Sequence, residues 1–259
     1  MSKTIIITNP LLLSGVQQLL DDIKVFPFAN DIYFVGGTAL QMRLNHRVSF
    51  DIDLATPDNT LNRSNITELI DYLRSKGRHV NDILSLVEIE NAKNEGHDLR
   101  DSQQDFDVDG IKLTLFIVDG SSKEKTILTK DADLQQMENI KVASIDALFK
   151  LKSLVLIHRH KSRDMFDLYY LIKNEKYTVE NIFECINLYR PTSSTKIAVN
   201  HLTSSDFPST DEGLDATAAG VDIKKIARFF QKGIKNMDSS LLTSNSVDSI
   251  LSKQEAGDR

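Results

Sequence analysis

Two aspartates separated by a single residue, Asp51 and Asp53 in "SFDIDLA" (49–55), are the first residues whose types and spacing could do chemistry. The segment alternates strictly, with Phe50, Ile52 and Leu54 on one parity and Ser49, Asp51 and Asp53 on the other. As a strand it would carry both carboxylates on one face. Carboxylates held that close repel each other unless a cation lies between them. Hard oxygen donors suit magnesium, which takes one or two carboxylates together with phosphate oxygens and water. The plain alternative is the solvent face of an edge strand, and spacing alone favours it.

Gly36 and Gly37 shift that balance. They close the β-prone run "IYFVGG" (32–37), and Thr38 is a plausible cap for a helix through "ALQMRLN". Glycine after a strand lets backbone N–H groups approach a ligand, and a helix starting there aims its positive end at the same place. That arrangement suits phosphate oxygens. It is neither a Walker loop, since no Gly-Lys-Ser/Thr follows, nor a dinucleotide fingerprint. With the paired aspartates on the next strand, a phosphate site facing a metal site becomes the better reading.

The elements that must position these residues follow from periodicity. Helical spacing predicts helices over 11–25, 66–77, 144–157, 162–174, 178–189 and 222–236, with a further one over 238–252. Gly77 stops the second of these. "FDVDGIKLTLFIVD" (106–119) reads as a hairpin turning at Asp109-Gly110. The opening "DFDVDG" (105–110) also satisfies the start of a calcium-binding loop, but Phe116 stands where the bidentate glutamate belongs, so a turn is the better explanation. A stretch rich in Ser, Thr, Asp and Gly (203–220) reads as a loop. The fold class expected is α/β (α+β type): a small mixed sheet with flanking helices over 1–145, then a helical bundle over 146–259.

Composition narrows the classes of function. With 41% hydrophobic and 26% charged residues in 259, the chain can bury a substantial core. No apolar run approaches the roughly 20 residues that span a bilayer, so no membrane partner is expected. The first residues, "MSKTIIITNPLLLSG", read as mature structure and not as a signal peptide. Cys185 is the only cysteine, which leaves no intrachain disulfide and no cysteine-rich zinc site; it reads as a core filler in a cytoplasmic protein. A net charge of −6 argues against indiscriminate coating of nucleic acid. The charge is uneven, however, with "KLKSLVLIHRHKSR" (150–163) basic and "DFPSTDEGLD" (206–215) acidic. His158 and His160 sit two apart on a predicted helix and point to different sides. No hydrolase signature is present.

"VGGTAL" (35–40), "RVSFDIDL" (47–54) and "KSLVLIHRHKSRDMFDLYYLI" (152–172) resemble, in that order, the motifs of the AbiEii type of minimal nucleotidyltransferases in the DNA polymerase beta superfamily. Members of that type occur as toxins of toxin–antitoxin and phage-defence systems. The resemblance implies transfer of a nucleoside monophosphate from a nucleoside triphosphate to an acceptor hydroxyl or phosphate; the basic segment 150–163 points to RNA, transfer RNA especially, as that acceptor, with a protein hydroxyl as the alternative. The resemblance also implies two magnesium ions, with manganese as an alternative, held by Asp51 and Asp53, and an antitoxin protein as a partner. Gly36, Gly37 and Thr38 would hold the triphosphate, with Ser49 in reach of a phosphate. Lys152 matches the lysine that contacts phosphates, and Asp164 the acid of the last motif, flanked by Arg163 and Asp167. The cleft between the two halves would be the active site.

The chain departs from the superfamily pattern at one place. A third carboxylate is expected from a neighbouring strand, and "GIKLTLFIVD" (110–119) offers Thr114 there. Asp107, Asp109 and Asp119 are the nearby acids that could stand in. Two other functional classes therefore remain: a weakened relative that binds nucleotide or RNA without transfer, and a toxin component that works by protein interaction.

Overall fold

The computed structural model describes residues 13–118, 122–190, 194–208, 211, 213–214 and 220–237. The chain divides into two compact units, Met1–Leu148 and Phe149–Arg259.

The first unit is built on a mixed seven-stranded sheet. Helix α1 (Ser14–Lys24) buries Val16, Leu19, Leu20 and Ile23, the positions that recur every three or four residues. Strand β1 (Tyr33–Val35) is buried throughout and leads directly into helix α2 (Gly36–Leu44). After β2 (Ile52–Thr56) comes α3 (Arg63–Ser75), whose first turn is capped by the Asn62 side chain accepting from the Asn65 N–H at 3.1 Å. Strand β3 (Val80–Asp82), helix α4 (Leu86–Asn94) and a short 3-10 turn precede β4 (Gln103–Val108) and β5 (Ile111–Ile117). Helix α5 (Ser122–Thr129), strands β6 (Gln135–Met137) and β7 (Ile140–Val142), and the start of α6 (Ile145–Val155) complete the unit.

The strand order is β3-β4-β5-β2-β1-β7-β6. Two neighbouring pairs, β2/β5 and β1/β7, are parallel, and the other four are antiparallel. The expected mixed sheet with flanking helices is what forms. The hairpin turns at Asp109 (φ 53°) and Gly110 (φ 81°), as its Asp-Gly pair requires. The Asp107 carboxylate accepts from the Gly110 N–H at 3.2 Å, and Asp109 accepts from the His79 N–H at 2.9 Å. Both acids are thus occupied in holding the turn.

The structure corrects two local readings. Helix α2 starts at Gly36, so Thr38 lies inside its first turn instead of capping it. The strand expected over 49–55 begins only at Ile52, leaving Ser49 and Asp51 ahead of it. The reason lies in β1, which is three residues long and offers no ladder for 49–51. Those residues bond to α2 side chains instead. The Thr38 hydroxyl donates to the Asp51 carbonyl, and Gln41 Oε1 accepts from the Ser49 N–H at 2.9 Å.

The second unit, from Phe149, is helical among the described residues: the rest of α6, then α7 (Ser162–Asn174), α8 (Val179–Tyr189), α9 (Ser194–Thr203) and α10 (Ile223–Lys235). Thr178 and Asn181 form a reciprocal capping box at the start of α8. Helix α10 packs on α7, α8 and α9. Periodicity does not single out helix α9, nor α4 and α5 of the first unit, and the helix expected over 238–252 lies outside the described residues. Cys185 is buried, with its Sγ 3.7 Å from the Lys150 carbonyl, as a core filler should be.

Gly110→Ala places a side chain at a left-handed backbone position and should lower unfolding free energy by about 1–2 kcal/mol. Urea denaturation checks this; an unchanged midpoint would mean that the turn relaxes.

Candidate active site

The strand–helix turn at Gly36 brings the first group of residues together. Gly36 has φ 77°, a conformation that side chains disfavour. A Cβ there would overlap the Asp53 carboxylate, because β1 and β2 pair Val35 opposite Asp53 and the acid leans over the turn. A Cβ on Gly37 would fall 2.6 Å from Arg47 Nη2 and 2.9 Å from Ser49 Oγ. Three side chains therefore converge on the backbone that opens α2, and both glycines are needed to admit them. Asp51 and Asp53 are half-buried, and the Asp51 carboxylate engages no described residue.

Arg47 is the member of this group that the sequence alone did not single out. It is only 3% exposed, and its Nη1 donates to the Val48 carbonyl at 3.0 Å. A signal is present in the chain: Arg47 shares the odd parity of Ser49, Asp51 and Asp53. It adds a positive charge beside a helix N-terminus, which together make a place for an anion.

Register also locates the acid nearest to a third-carboxylate role. Thr114 on β5 lies opposite Asp53 on one side and opposite Asp105 on the other. Asp53, Thr114 and Asp105 thus form one row across three strands, on one face of the sheet. Asp105 is 6% exposed; one of its oxygens accepts from Lys112 at 2.8 Å and Gln103 at 3.1 Å, and the other has no hydrogen-bond partner. Asp119, another acid that could fill the role, lies outside the described residues.

The second unit gathers the downstream residues into a buried ion cluster. Lys152 Nζ lies 2.6 Å from Asp164 Oδ1 and 2.8 Å from Asp167 Oδ2, with all three side chains nearly inaccessible. Arg159 adds a two-pronged contact to Asp164, at 2.8 Å and 3.1 Å. Burial works to raise the Asp164 carboxyl, but Lys152 and Arg159 outweigh it and hold the group well below the usual carboxylate range. Arg163 is buried in the first turn of α7. His160 stacks on His201 with ring centroids 4.9 Å apart and lies tilted against Phe207 at 4.1 Å, while His158 is exposed. The basic segment 150–163 is thus folded inward in part: Lys152 and Arg163 are buried, Lys150, His160 and Lys161 are half-buried, and His158 and Arg159 are exposed. Among the described residues no three side chains of His, Cys, Asp or Glu cluster closely enough to hold a metal by themselves.

The family model of the AbiEii nucleotidyl transferase toxins, a type IV toxin–antitoxin system, matches residues 18–252. The chain belongs to this family. Its activity class is nucleotidyl transfer, and an AbiEii toxin is one half of a toxin–antitoxin pair. No curated protein matches the chain. Among solved structures it is similar to MenT4, the nucleotidyltransferase toxin Rv2826c of Mycobacterium tuberculosis H37Rv, at 12% identity and a TM-score of 0.51, covering 93% of this chain and 92% of that one. JHP933 from Helicobacter pylori is similar at 16% identity and a TM-score of 0.47, covering 94% of each chain. At 12% identity the likeness to MenT4 is one of fold. No described helix is long and apolar enough to cross a membrane.

Two measurements test the energetics of this region. Lys152→Ala leaves two buried carboxylates without their shared cation, and should cost about 3–5 kcal/mol in urea unfolding. Acidification should also destabilise the protein in two windows. Burial, with the stacked His201, lowers the His160 pKa from 6.5 to about 4. The unfolded chain therefore binds that proton first, and stability falls as pH drops from about 6.5 towards 4. Asp164 contributes its stability above the ordinary carboxylate pKa of about 4 and loses it below that. The His160→Phe variant should flatten the first window only; a wild-type profile level between pH 7 and 4.5 would contradict the assignment.

Proposed function

We propose that the protein moves a nucleoside monophosphate from a nucleoside triphosphate to a hydroxyl of an RNA acceptor, with transfer RNA the first acceptor to test. The observation that carries this reading is the seating of the Asp53 carboxylate against Gly36, beside Ser49 and Arg47, at the start of α2. Triphosphate oxygens would meet the N–H groups of Gly37 and Thr38, the Ser49 hydroxyl and the Arg47 guanidinium. Asp51 and Asp53 would hold magnesium, or manganese in its place. The donor set fits, since both are oxygen ligands, the Asp51 carboxylate engages no described residue, and a magnesium site needs only one or two carboxylates when phosphates and water complete it. When bound, the metal supplies positive charge to the reacting phosphate and activates the attacking oxygen.

In the reaction the acceptor oxygen forms a bond to the α-phosphorus as the α–β phosphoanhydride bond breaks. Pyrophosphate departs, and the hydroxyl proton passes to solvent. Lys152 is proposed as a phosphate contact, with Asp164 as the group that positions it and maintains its charge, and Arg163 as a further nucleotide contact. An antitoxin protein is the partner that the family description suggests.

Thr114 favours a second reading. An uncharged residue stands directly opposite Asp53, and the acid in the same row, Asp105, lies one strand further away. On that reading the protein binds nucleotide or RNA without transfer.

Incubation with each α-labelled nucleoside triphosphate, magnesium and total cellular RNA separates the two. Transfer predicts label in RNA, lowered about 100-fold or more in Asp53→Asn with an unchanged circular dichroism spectrum. Magnesium-dependent nucleotide binding with no label in RNA or protein would overturn transfer in favour of the second reading.

A further inference from the structure

Helix α10 carries a surface that the site described above does not use. Its exposed residues are Lys224, Lys225, Arg228, Lys232 and Lys235, and every one is a cation. At about 100° per residue, these five fall within an arc of about 100°, one face of the helix. Along the axis they extend about 16 Å, at about 1.5 Å per residue. Lys173 of α7 adds a further cation at the edge, its Nζ 4.6 Å from the Phe229 ring centroid. The helix contains no acidic residue, and Lys224, Lys225, Arg228 and Lys232 form no ion pair with any described residue.

This arrangement works against the helix itself. Lys224, Arg228 and Lys232 repeat at four-residue intervals, so like charges are neighbours and repel. Lys224 and Lys225 also occupy the first turn, where the positive end of the helix dipole disfavours cations. The helix forms because its other face, Ile226, Ala227, Phe230 and Ile234, is buried against α7, α8 and α9. In a chain with a net charge of −6, so dense a positive stripe marks a place for a polyanion.

We propose that this face of α10 docks the phosphate backbone of RNA. A protein partner would require apolar or aromatic anchors, and the exposed face offers none. An anionic membrane would require a free apolar face for insertion, and that face is committed to the bundle. Long, mobile cationic side chains in a row are the chemistry of sequence-independent phosphate contact. The choice of RNA over other nucleic acids rests on the acceptor proposed above; the cationic face does not.

The test is fluorescence anisotropy of the full chain with 3′-fluorescein-labelled bulk transfer RNA, over a salt series. The quadruple variant Lys224→Gln, Lys225→Gln, Arg228→Gln and Lys232→Gln should bind at least about tenfold more weakly at low salt, and its log–log salt slope should fall by about 3. The charge-preserving variant Lys224→Arg, Lys225→Arg and Lys232→Arg should bind as the wild type does, which separates lost charge from lost fold. Binding of magnesium–ATP, measured in parallel, should be the same in all three proteins. An unchanged affinity and slope in the quadruple variant would overturn the proposal. So would competition by polyglutamate or duplex DNA as strong as by unlabelled RNA. If RNA binding depends on α10 while no nucleotide is transferred, the docking face stands and the proposed reaction falls.

Discussion

The first unit depends on a close approach between a carboxylate and a main chain. Asp53 leans over Gly36 because β1 and β2 are hydrogen-bonded neighbours with Val35 opposite the acid. Any Cβ at Gly36 would occupy the same space, and the positive φ there leads the chain directly from strand into helix. The surrounding details follow from that constraint. β1 must end early for α2 to begin, so Ser49 and Asp51 lose their ladder partners and are held by Gln41 and Thr38. One short turn thereby sets the positions of two acids, two hydroxyls and a buried arginine.

The second unit solves a different problem. Lys152, Asp164 and Asp167 lie where an unpaired charge would be costly, and each is tolerable only because of the others. Arg159 reaches the same cluster from a more exposed position. Such a cluster is weak evidence of stability by itself, but it holds the lysine ammonium and the two carboxylates in one fixed geometry. The histidine stack of His160, His201 and Phe207 encloses another part of the same basic segment. Part of the positive charge that looks available along the chain, Lys152 and Arg163, is consumed in packing, whereas among the described residues α10 presents a row of exposed cations.

Much of this is legible in the order of the residues. The alternation around Asp51 and Asp53, the glycine pair and the Asp-Gly turn are local signals, each set by a few adjacent residues, and the hairpin and strand–helix turn form where they indicate. The long amphipathic helices α3, α7, α8 and α10 are equally plain, since burial of one face leaves a periodic mark. Arg47 is legible in principle, because it shares the parity of its neighbours. Asp105 is not. Its place in the row with Thr114 and Asp53 depends on which strands are adjacent, and β4 and β2 are far apart in sequence.

The chain alone therefore determined its class, its longer amphipathic helices and its hairpin, because propensity and periodicity act over a few residues at a time; it did not mark the helices α4, α5 and α9. Tertiary structure decided which charges are buried against one another and which face outward. Basic residues at 150–163 and on α10 read alike as a string of letters. They separate only through packing: Lys152 finds two carboxylates on α7, whereas α10 buries its apolar side and leaves its cations in water. Coulombic pairing and desolvation depend on three-dimensional neighbours, and no count of residues along a chain contains them.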